Sequence, residues 1–372
     1  MVRTLHIVSF AVPVPADYGG AIEVFYKLKA LSAAGVKVIF HCFQYSNQQQ
    51  SEILDEWCEE VHYYERNKSI RSLLSINPYI VESRRNPALL ERLQKNDHPI
   101  LFEGVHTSAY INHPSLAKRK KIVRMANIES NYYQGLFKAS SNIVKGLYYW
   151  LEARKLKRYE NNLQPADRLI AISKFEYQIL AIFYGNQVDY IPPFHPFDTV
   201  IESLKQDFLL YHGNLKVEEN NEAAIYLVNN IFSQLTYKTV IAGKSPSRQL
   251  KALIAKYDHI TLIESPEDEQ LQQLIKSAKI NVLYTSQRTG LKLKLLNVLY
   301  NGGLLIVNDL MVEGTQLEEV ICVAEEDDEM IFKIHKMMLG DLNYDLEQRK
   351  AQLESNYNNL KNAEALCELI FS

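Results

Sequence analysis

A turn carrying two lysines precedes a short helical pattern in the stretch Thr289-Gly-Leu-Lys-Leu-Lys-Leu-Leu-Asn-Val-Leu-Tyr-Asn-Gly-Gly303. Leu291, Leu295, Leu296 and Leu299 fall at i, i+4, i+5 and i+8, the spacing of one helical face. Gly302 and Gly303 stop that helix. Apolar runs of strand length, Ile280–Tyr284 and Leu304–Val307, flank it. The pattern is strand, turn, helix, strand. A turn that feeds a helix N-terminus presents backbone N–H groups to an anion, and a diphosphate suits such a site. Lys292 and Lys294 add positive charge there. Spacing alone leaves a plainer reading open, a βαβ unit with surface lysines, because one glycine turn is weak evidence.

Other polar residues gather where strands are expected to end. Leu5–Phe10 reads as a buried strand, Pro13–Gly20 as a loop, Ala21–Ala34 as a helix and Val36–Phe40 as the next strand. Gly19 and Gly20 let backbone approach a ligand closely. Pro99–His106 is a short strand that ends in Glu103 and His106, and Ile122–Met125 is another, with Arg124, Asn127 and Glu129 around its end. In open α/β sheets ligands bind at the carboxyl ends of strands. Pro165–Ser173 gives the last strand of this half. Asp189–Phe197, with three prolines in nine residues, reads as a linker, since clustered prolines resist helix and central strand.

The second half repeats the alternation. Phe208–Gly213 is a strand, Asn214–Asn221 its loop and Glu222–Phe232 a helix. Thr239–Gly243 is a strand followed by Lys244, and Ile260–Ile263 is a strand followed by Glu264, Ser265 and Pro266. The helix Glu267–Ala278 then leads to the lysine turn, and Asp341–Ala365 reads as a closing helical region with Leu366–Phe371 apolar enough to dock. Both halves have the pattern of doubly wound α/β domains, so a cleft between them is the expected ligand site.

Composition narrows the classes. A length of 372 residues suits two domains, and a net charge of −3 gives no global pull toward nucleic acid. Cys42, Cys58, Cys322 and Cys367 lack metal-ligand spacing and read as reduced thiols. The chain opens directly on a strand, with no signal peptide evident and no bilayer-length apolar run, so a cytoplasmic protein is expected. From Ala117 to Glu160 eleven basic residues face three acidic ones, with Tyr132, Tyr133, Phe137, Tyr148, Tyr149 and Trp150 interleaved. Such a segment suits an anionic membrane surface or, as another reader, single-stranded nucleic acid. The alternative is a solvated helix, Asn142–Leu163, packed through Leu147, Leu151 and Leu156.

The lysine turn resembles the donor-binding signature of GT-B glycosyltransferases, especially the family 4 group of retaining enzymes. In that signature a Glu, seven residues and a second Glu precede a helix that ends in Gly. Thr289 and Asn297 stand at the two Glu positions, both departures. Gly290, Leu291, Lys292 and Lys294 fit a Gly-x-Lys-x-Lys subgroup of bacterial polysaccharide enzymes. Arg124, Asn127 and Glu129 match that subgroup's Arg-x-His-Asn-x-Glu pattern, with Ala126 where it has His, whether by nature or by alteration of the chain. Gly19 and Gly20 resemble the glycine loop that faces the donor phosphates, and Asn214 and Asn220 fall near the positions of the family's phosphate-binding Arg and Lys after Gly213.

The resemblance implies two Rossmann-like domains facing across a cleft. Residues 1–190 would receive the acceptor, 191–200 would link, 201–350 would hold the nucleotide sugar, and 351–372 would cross back to the first domain. It implies transfer of a sugar from a nucleotide-sugar donor to a glycan or lipid-linked acceptor, with retention of configuration. Neither a metal nor a cofactor is expected, and no nucleic-acid partner. Lys244, Lys292, the Ala126 position and Glu129 would serve catalysis. Gly19, Gly20, Gly213, Asn214, Lys244, Ser265, Thr289, Gly290, Leu291, Lys292, Lys294 and Asn297 would bind the donor. Glu103, His106, Arg124 and Asn127 would lie on the acceptor side. The basic segment 117–160 would rest peripherally on the inner face of the membrane. Two rivals stay open: an epimerase of nucleotide sugars using Glu103, His106 and Glu129, and a binding protein without activity, consistent with Ala126, Thr289 and Asn297.

Overall fold

The computed structural model describes residues 3–45, 50–140, 142–202, 205–287, 291–343 and 345–372. The chain forms two compact units. The first comprises Met1–Pro196 and Tyr357–Ser372 with Thr289–Leu291, and the second Phe197–Arg288 with Lys292–Asn356.

In the first unit the elements run β1 (Arg3–Ser9), α1 (Gly19–Ala33), β2 (Val36–Gln44), β3 (Glu60–Glu65), α2 (Ile70–Leu73), α3 (Tyr79–Glu82), α4 (Pro87–Leu93) and β4 (Ile100–Glu103). They continue as β5 (Lys121–Met125), α5 (Glu129–Ala139), α6 (Ile143–Glu160), β6 (Arg168–Ala171), α7 (Lys174–Tyr184) and β7 (Val188–Tyr190). The seven strands are parallel, in the order β3-β2-β1-β4-β5-β6-β7. Helices cover both faces, so central strands are apolar on both sides. Leu5 and Ile7 join Leu28 and Phe40 in one core layer, while Val8, Phe102 and Val123 join Leu156 in the other.

The second unit runs β8 (Gln206–His212), α8 (Glu218–Asn230), β9 (Thr239–Gly243), α9 (Arg248–Ile254), β10 (Ile260–Glu264), α10 (Asp268–Ser277) and β11 (Ala278–Leu283). Then come α11 (Leu293–Asn301), β12 (Leu304–Val307), α12 (Asp309–Val312), β13 (Cys322–Val323), α13 (Asp327–Leu339) and α14 (Leu346–Asn356). Its six parallel strands are ordered β10-β9-β8-β11-β12-β13. The last helix, α15 (Asn359–Phe371), belongs to the first unit, where Leu366, Cys367 and Ile370 pack in the core layer of Leu5 and Leu28.

Each sheet reverses its strand order once, between β1 and β4 in the first unit and between β8 and β11 in the second. These are the switch points at which doubly wound sheets bind ligands, outside the carboxyl ends of the strands.

Several expectations are corrected. Pro165–Ser173 does not hold the last strand of its half, because Val188–Tyr190 pairs with β6 and runs into the first two residues of the stretch read as linker. The closing helical region is broken between Asn356 and Asn359, and Asn358 caps the second piece. The loop Asn214–Asn221 is shorter than expected, since α8 starts at Glu218, where Glu218 and Glu219 complement the helix N-terminus. The long basic helix does not pack through Leu147 and Leu151. Both are exposed, and of the three leucines only Leu156 is buried. Within the basic segment 117–160, the run Lys118–Lys121 is not one charged surface. Arg119 is buried against the carbonyls of Leu93, Asn96 and His98, and Lys121 is buried with Nζ donating to the Ile111 carbonyl at 3.3 Å.

Candidate functional site

The carboxyl edge of the first sheet gathers groups from five strand ends. Behind β1 lies Phe10, whose ring sits 5.4 Å from that of His106, which follows β4. These two residues flank the switch point. A Cβ on Gly20 would come within 2.7 Å of the Phe10 ring, so a larger residue there would displace that ring. Gly19 is exposed and opens α1. Gly104 adopts a positive φ of 68°, and a Cβ on it would lie 2.9 Å from His106 Nδ1. That Nδ1 is buried without a hydrogen-bond partner. Burial first, then Arg84 and Arg66, hold the imidazole well below its usual pKa, so it is neutral at pH 7.

Arg84 and Arg66 were absent from the sequence expectation. Arg84 is fully buried and donates to the carbonyls of Phe10 at 2.9 Å and Ile80 at 2.6 Å and to the Tyr45 hydroxyl at 2.6 Å. Arg66 lies over the Tyr45 ring, 4.8 Å from its centroid. No periodic pattern surrounds either arginine in sequence. Their placement depends on α3 and the end of β3 meeting the end of β1.

The end of β5 contributes Ala126 and Asn127, both half-buried, and Glu129, buried at the first residue of α5. Burial and the nearby Glu160 raise the Glu129 carboxyl to about 8, against an opposing hydrogen bond from Asn127. Burial likewise raises Glu160 to about 7, although its Oε1 accepts from the Ser130 N–H at 3.2 Å. Two buried carboxyl groups that both hold protons near neutrality titrate as a pair. A protonated Glu129 carries no negative charge and has an O–H available to donate.

Glu103 and Arg124 lie in a buried ion network. Lys27 Nζ donates to Glu23 at 2.7 Å and to Glu103 at 2.6 Å, and Arg124 Nε donates to Glu23 at 2.6 Å. Arg124 also donates to the Pro192 carbonyl at 2.8 Å and stacks over Phe194. Burial alone would raise the Glu23 carboxyl, but Arg124 and Lys27 hold it below its usual range. Glu103, with one cation partner, is pushed up by burial. This network ties α1, β4, β5 and the chain after β7 together, a positioning role for all four side chains.

The carboxyl edge of the second sheet has its own cluster at the switch point. His212, the last residue of β8, is buried with Nε2 lacking a hydrogen-bond partner, and burial, then Lys294, lower its pKa to about 3. Lys294, in the first turn of α11, donates to Asn220 Oδ1 at 3.0 Å and lies over the Tyr211 ring at 5.5 Å. Burial is the main cause that lowers the Lys294 ammonium to about 8, with Lys292 adding to it and Glu219 opposing. Lys292 Nζ donates to the Gln287 carbonyl at 3.3 Å. Thr285, after β11, bonds Glu219 of α8 through its hydroxyl. Helix α11 has no side-chain cap and no acid in its first turn. His212, Glu219 and Thr285 were absent from the sequence expectation, because each matters only once β8, α8 and β11 converge.

The remaining expected donor residues are dispersed along this edge. Gly213 packs a Cβ-sized space against Asn220, and Asn214 accepts from the Lys216 N–H at 3.2 Å. Lys244 is exposed after β9, and among the described residues no hydrogen bond ties it to Lys292 or Lys294. Ser265 follows β10 at a φ of 52° and receives the Ser245 N–H at 3.4 Å. Asn297 lies mid-helix and accepts from Asn301, one turn on, at 3.0 Å. Leu291 is half-buried. Thr289 and Gly290 lie outside the described residues.

No family model matches the chain. It is 28% identical over 348 residues, 88% of this chain and 89% of the relative, to an uncharacterized 44.6 kDa protein in the cps region of Klebsiella pneumoniae. Among solved structures it is similar to sucrose-phosphate synthase from Thermosynechococcus elongatus, with a TM-score of 0.71 at 15% identity over 99% of this chain and 98% of that one. TarM gives a TM-score of 0.69 at 10% identity over 100% and 99%. The UDP-forming α,α-trehalose-phosphate synthase from Burkholderia xenovorans, in complex with glucose-6-phosphate, gives 0.62 at 12% identity over the full length of both chains. These neighbours are GT-B glycosyltransferases. At such identities the likeness is one of fold, and the fold of this chain is GT-B, two Rossmann-like domains.

Proposed function

We propose that this protein is a glycosyltransferase that moves a sugar from a nucleotide-sugar donor to a glycan or a lipid-linked acceptor with retention of configuration. The reading includes the family 4 affinity implied by the Gly-x-Lys-x-Lys turn and a place in polysaccharide biosynthesis. The observation that carries it is the Lys294 cluster. A half-buried ammonium, a second lysine and an uncapped helix start share the switch point of the second sheet. Burying a cation beside another is unfavourable, the nearby Glu219 offsets only part of that cost, and an arriving anion relieves the rest. A leaving nucleoside diphosphate is such an anion, and stabilising its developing charge is often the largest catalytic contribution.

On the first sheet, Glu129 in its protonated form, Asn127, the Ala126 position and neutral His106 form the acceptor-side cluster of this reading. Glu103 and Arg124 act there as positioning residues. The epimerase alternative is weakened, because it asks Glu103 for proton transfer while that carboxyl is 3% exposed and bonded to Lys27.

Calorimetry with nucleoside diphosphates and the corresponding nucleosides tests the proposal. Lys294→Met is expected to weaken diphosphate binding at least tenfold and to leave the bare nucleoside nearly unaffected. Equal losses for both ligands would remove the phosphate role. Donor binding with no transfer to any glycan or lipid-linked acceptor would favour the binding-protein alternative.

A further inference from the structure

Two segments of the first unit, far apart in sequence, present one face that is apolar and basic together. On α6 the outward side carries Ile143, Val144, Leu147 and Leu151 in its first half, exposed from 45% to 90%. Arg154, Lys155 and Arg158 continue the same side in its second half. Its two acids, Glu152 and Glu160, are both buried. The second segment, around α2, exposes Ile70, Leu73, Leu74 and Ile76 from 42% to 79%.

The two segments touch. Lys155 Nζ donates to the Leu73 carbonyl at 3.2 Å, and the Tyr79 N–H donates to Glu152 Oε2 at 2.7 Å. A small crevice lined by Ile76, Pro78, Lys155 and Arg158 joins them. Charge is one-sided. Residues 66–77 hold three basic residues and no acid, and residues 142–159 hold five basic residues and one acid, the buried Glu152. Trp150 is half-buried with Arg154 stacked 3.9 Å over its ring.

The geometry points to this α2–α6 face as a docking surface for an anionic lipid bilayer. An exposed apolar stripe costs solubility in water and gains when it enters the headgroup boundary. The flanking cations meet the negative potential of an anionic leaflet. A protein partner of ordinary surface charge offers no such match to a face without exposed acids. The surface keeps the α6 part of the expected segment 117–160 and adds α2, while Lys118–Lys121, partly buried at the amino end of β5, lie outside it. It rests on the proposed transfer reaction only for its purpose, which is to bring a lipid-linked acceptor to the first unit.

Vesicle co-sedimentation with the full chain, without donor or acceptor, tests it. The protein is expected to bind vesicles with 30% anionic lipid and to ignore purely zwitterionic ones. Leu147→Ser with Leu151→Ser should reduce binding at least tenfold, as should Arg154→Gln with Arg158→Gln. Circular dichroism and nucleoside diphosphate affinity should stay unchanged in both. Lys118→Ala with Lys120→Ala should leave binding within twofold. No binding to anionic vesicles at low salt would overturn the proposal. So would equal loss in the Lys118 and Lys120 variant, or micromolar self-association abolished by the leucine changes, which would give the face to a second copy. Nucleoside diphosphate binding is read separately, so failure here leaves the transfer reading standing, and the converse.

Discussion

Lys294 and Glu129 are the residues whose chemistry depends most on their surroundings. Lys294 has its ammonium lowered to about 8 by burial, and a bound anion raises it again. Below pH 8 the charge is present before the diphosphate arrives. Above pH 8 binding must take up a proton, so affinity falls by up to tenfold per pH unit until the bound-state pKa is reached. Calorimetry at pH 8.5 in two buffers of different ionisation enthalpy should show that uptake, and affinity constant from pH 7 to 9.5 would contradict it. Glu129 behaves oppositely in folding. Its carboxyl is raised to about 8, so the native state keeps a proton that the unfolded chain loses near 4.5. Stability from this group is full below pH 4.5 and is lost as pH rises toward 8, by roughly 1.4 kcal/mol per unit. Glu129→Gln should therefore raise Tm at pH 8.5 and change it little at pH 4.5. Such perturbed groups were only half legible in sequence. The residue types at 129 and 294 stood out, but burial, which sets their protonation, comes from groups tens of residues away, such as Tyr211 and Asn220 for Lys294 and Glu160 for Glu129.

At the scale of elements, close approach of strands decides which glycines are required. A Cβ on Gly243 would lie 2.0 Å from the Gly213 carbonyl oxygen and 2.7 Å from Leu215. Backbone cannot yield as a flexible side chain can, so β8 and β9 would separate. Gly243→Ala is expected to cost at least ~2 kcal/mol, near the upper range for overpacked sites, read from urea unfolding. A cost under 0.5 kcal/mol would show that the sheet tolerates the shift. The mostly apolar strands β1, β5, β9 and β12 were readable because both their faces are covered. β3 and β7 were not, since β3 buries only Tyr64 and β7 is three residues long. Helix α6 was readable as a helix, but its packed side was not. Leucines at helical spacing suggested a core face, and the core face instead uses Gly146, Ala153 and Leu156.

For the whole molecule, the first unit is built from distant parts of the chain. Leu366 and Ile370 on α15 fill the layer of Leu5, Leu28 and Phe40. Leu366→Ala should destabilise this unit by ~2–5 kcal/mol, the range for a buried leucine that leaves a cavity. Both tryptophans, Trp57 and Trp150, lie in this unit, so tryptophan fluorescence excited selectively over the tyrosines reports its unfolding. The fluorescence midpoint should fall in the variant. An unmoved midpoint would mean that α15 adds little to that core. Alternation of strands and helices in each half was plain in sequence. The return of the last helix was suggested by resemblance rather than by pattern, because nothing local in 359–371 records which layer it completes.

That return has a consequence for biosynthesis. Domains usually condense in order as the chain is made, at ~5–20 residues per second. Here residues up to Pro196 are available long before Tyr357–Ser372, which belong to the same unit. The interval is roughly 10–30 s at that rate. Throughout it the core layer of Leu5, Ile7 and Leu28 lacks the part that α15 supplies. Chaperone occupancy of this chain on the ribosome is therefore expected to persist until α15 has emerged, rather than to end with the first sheet.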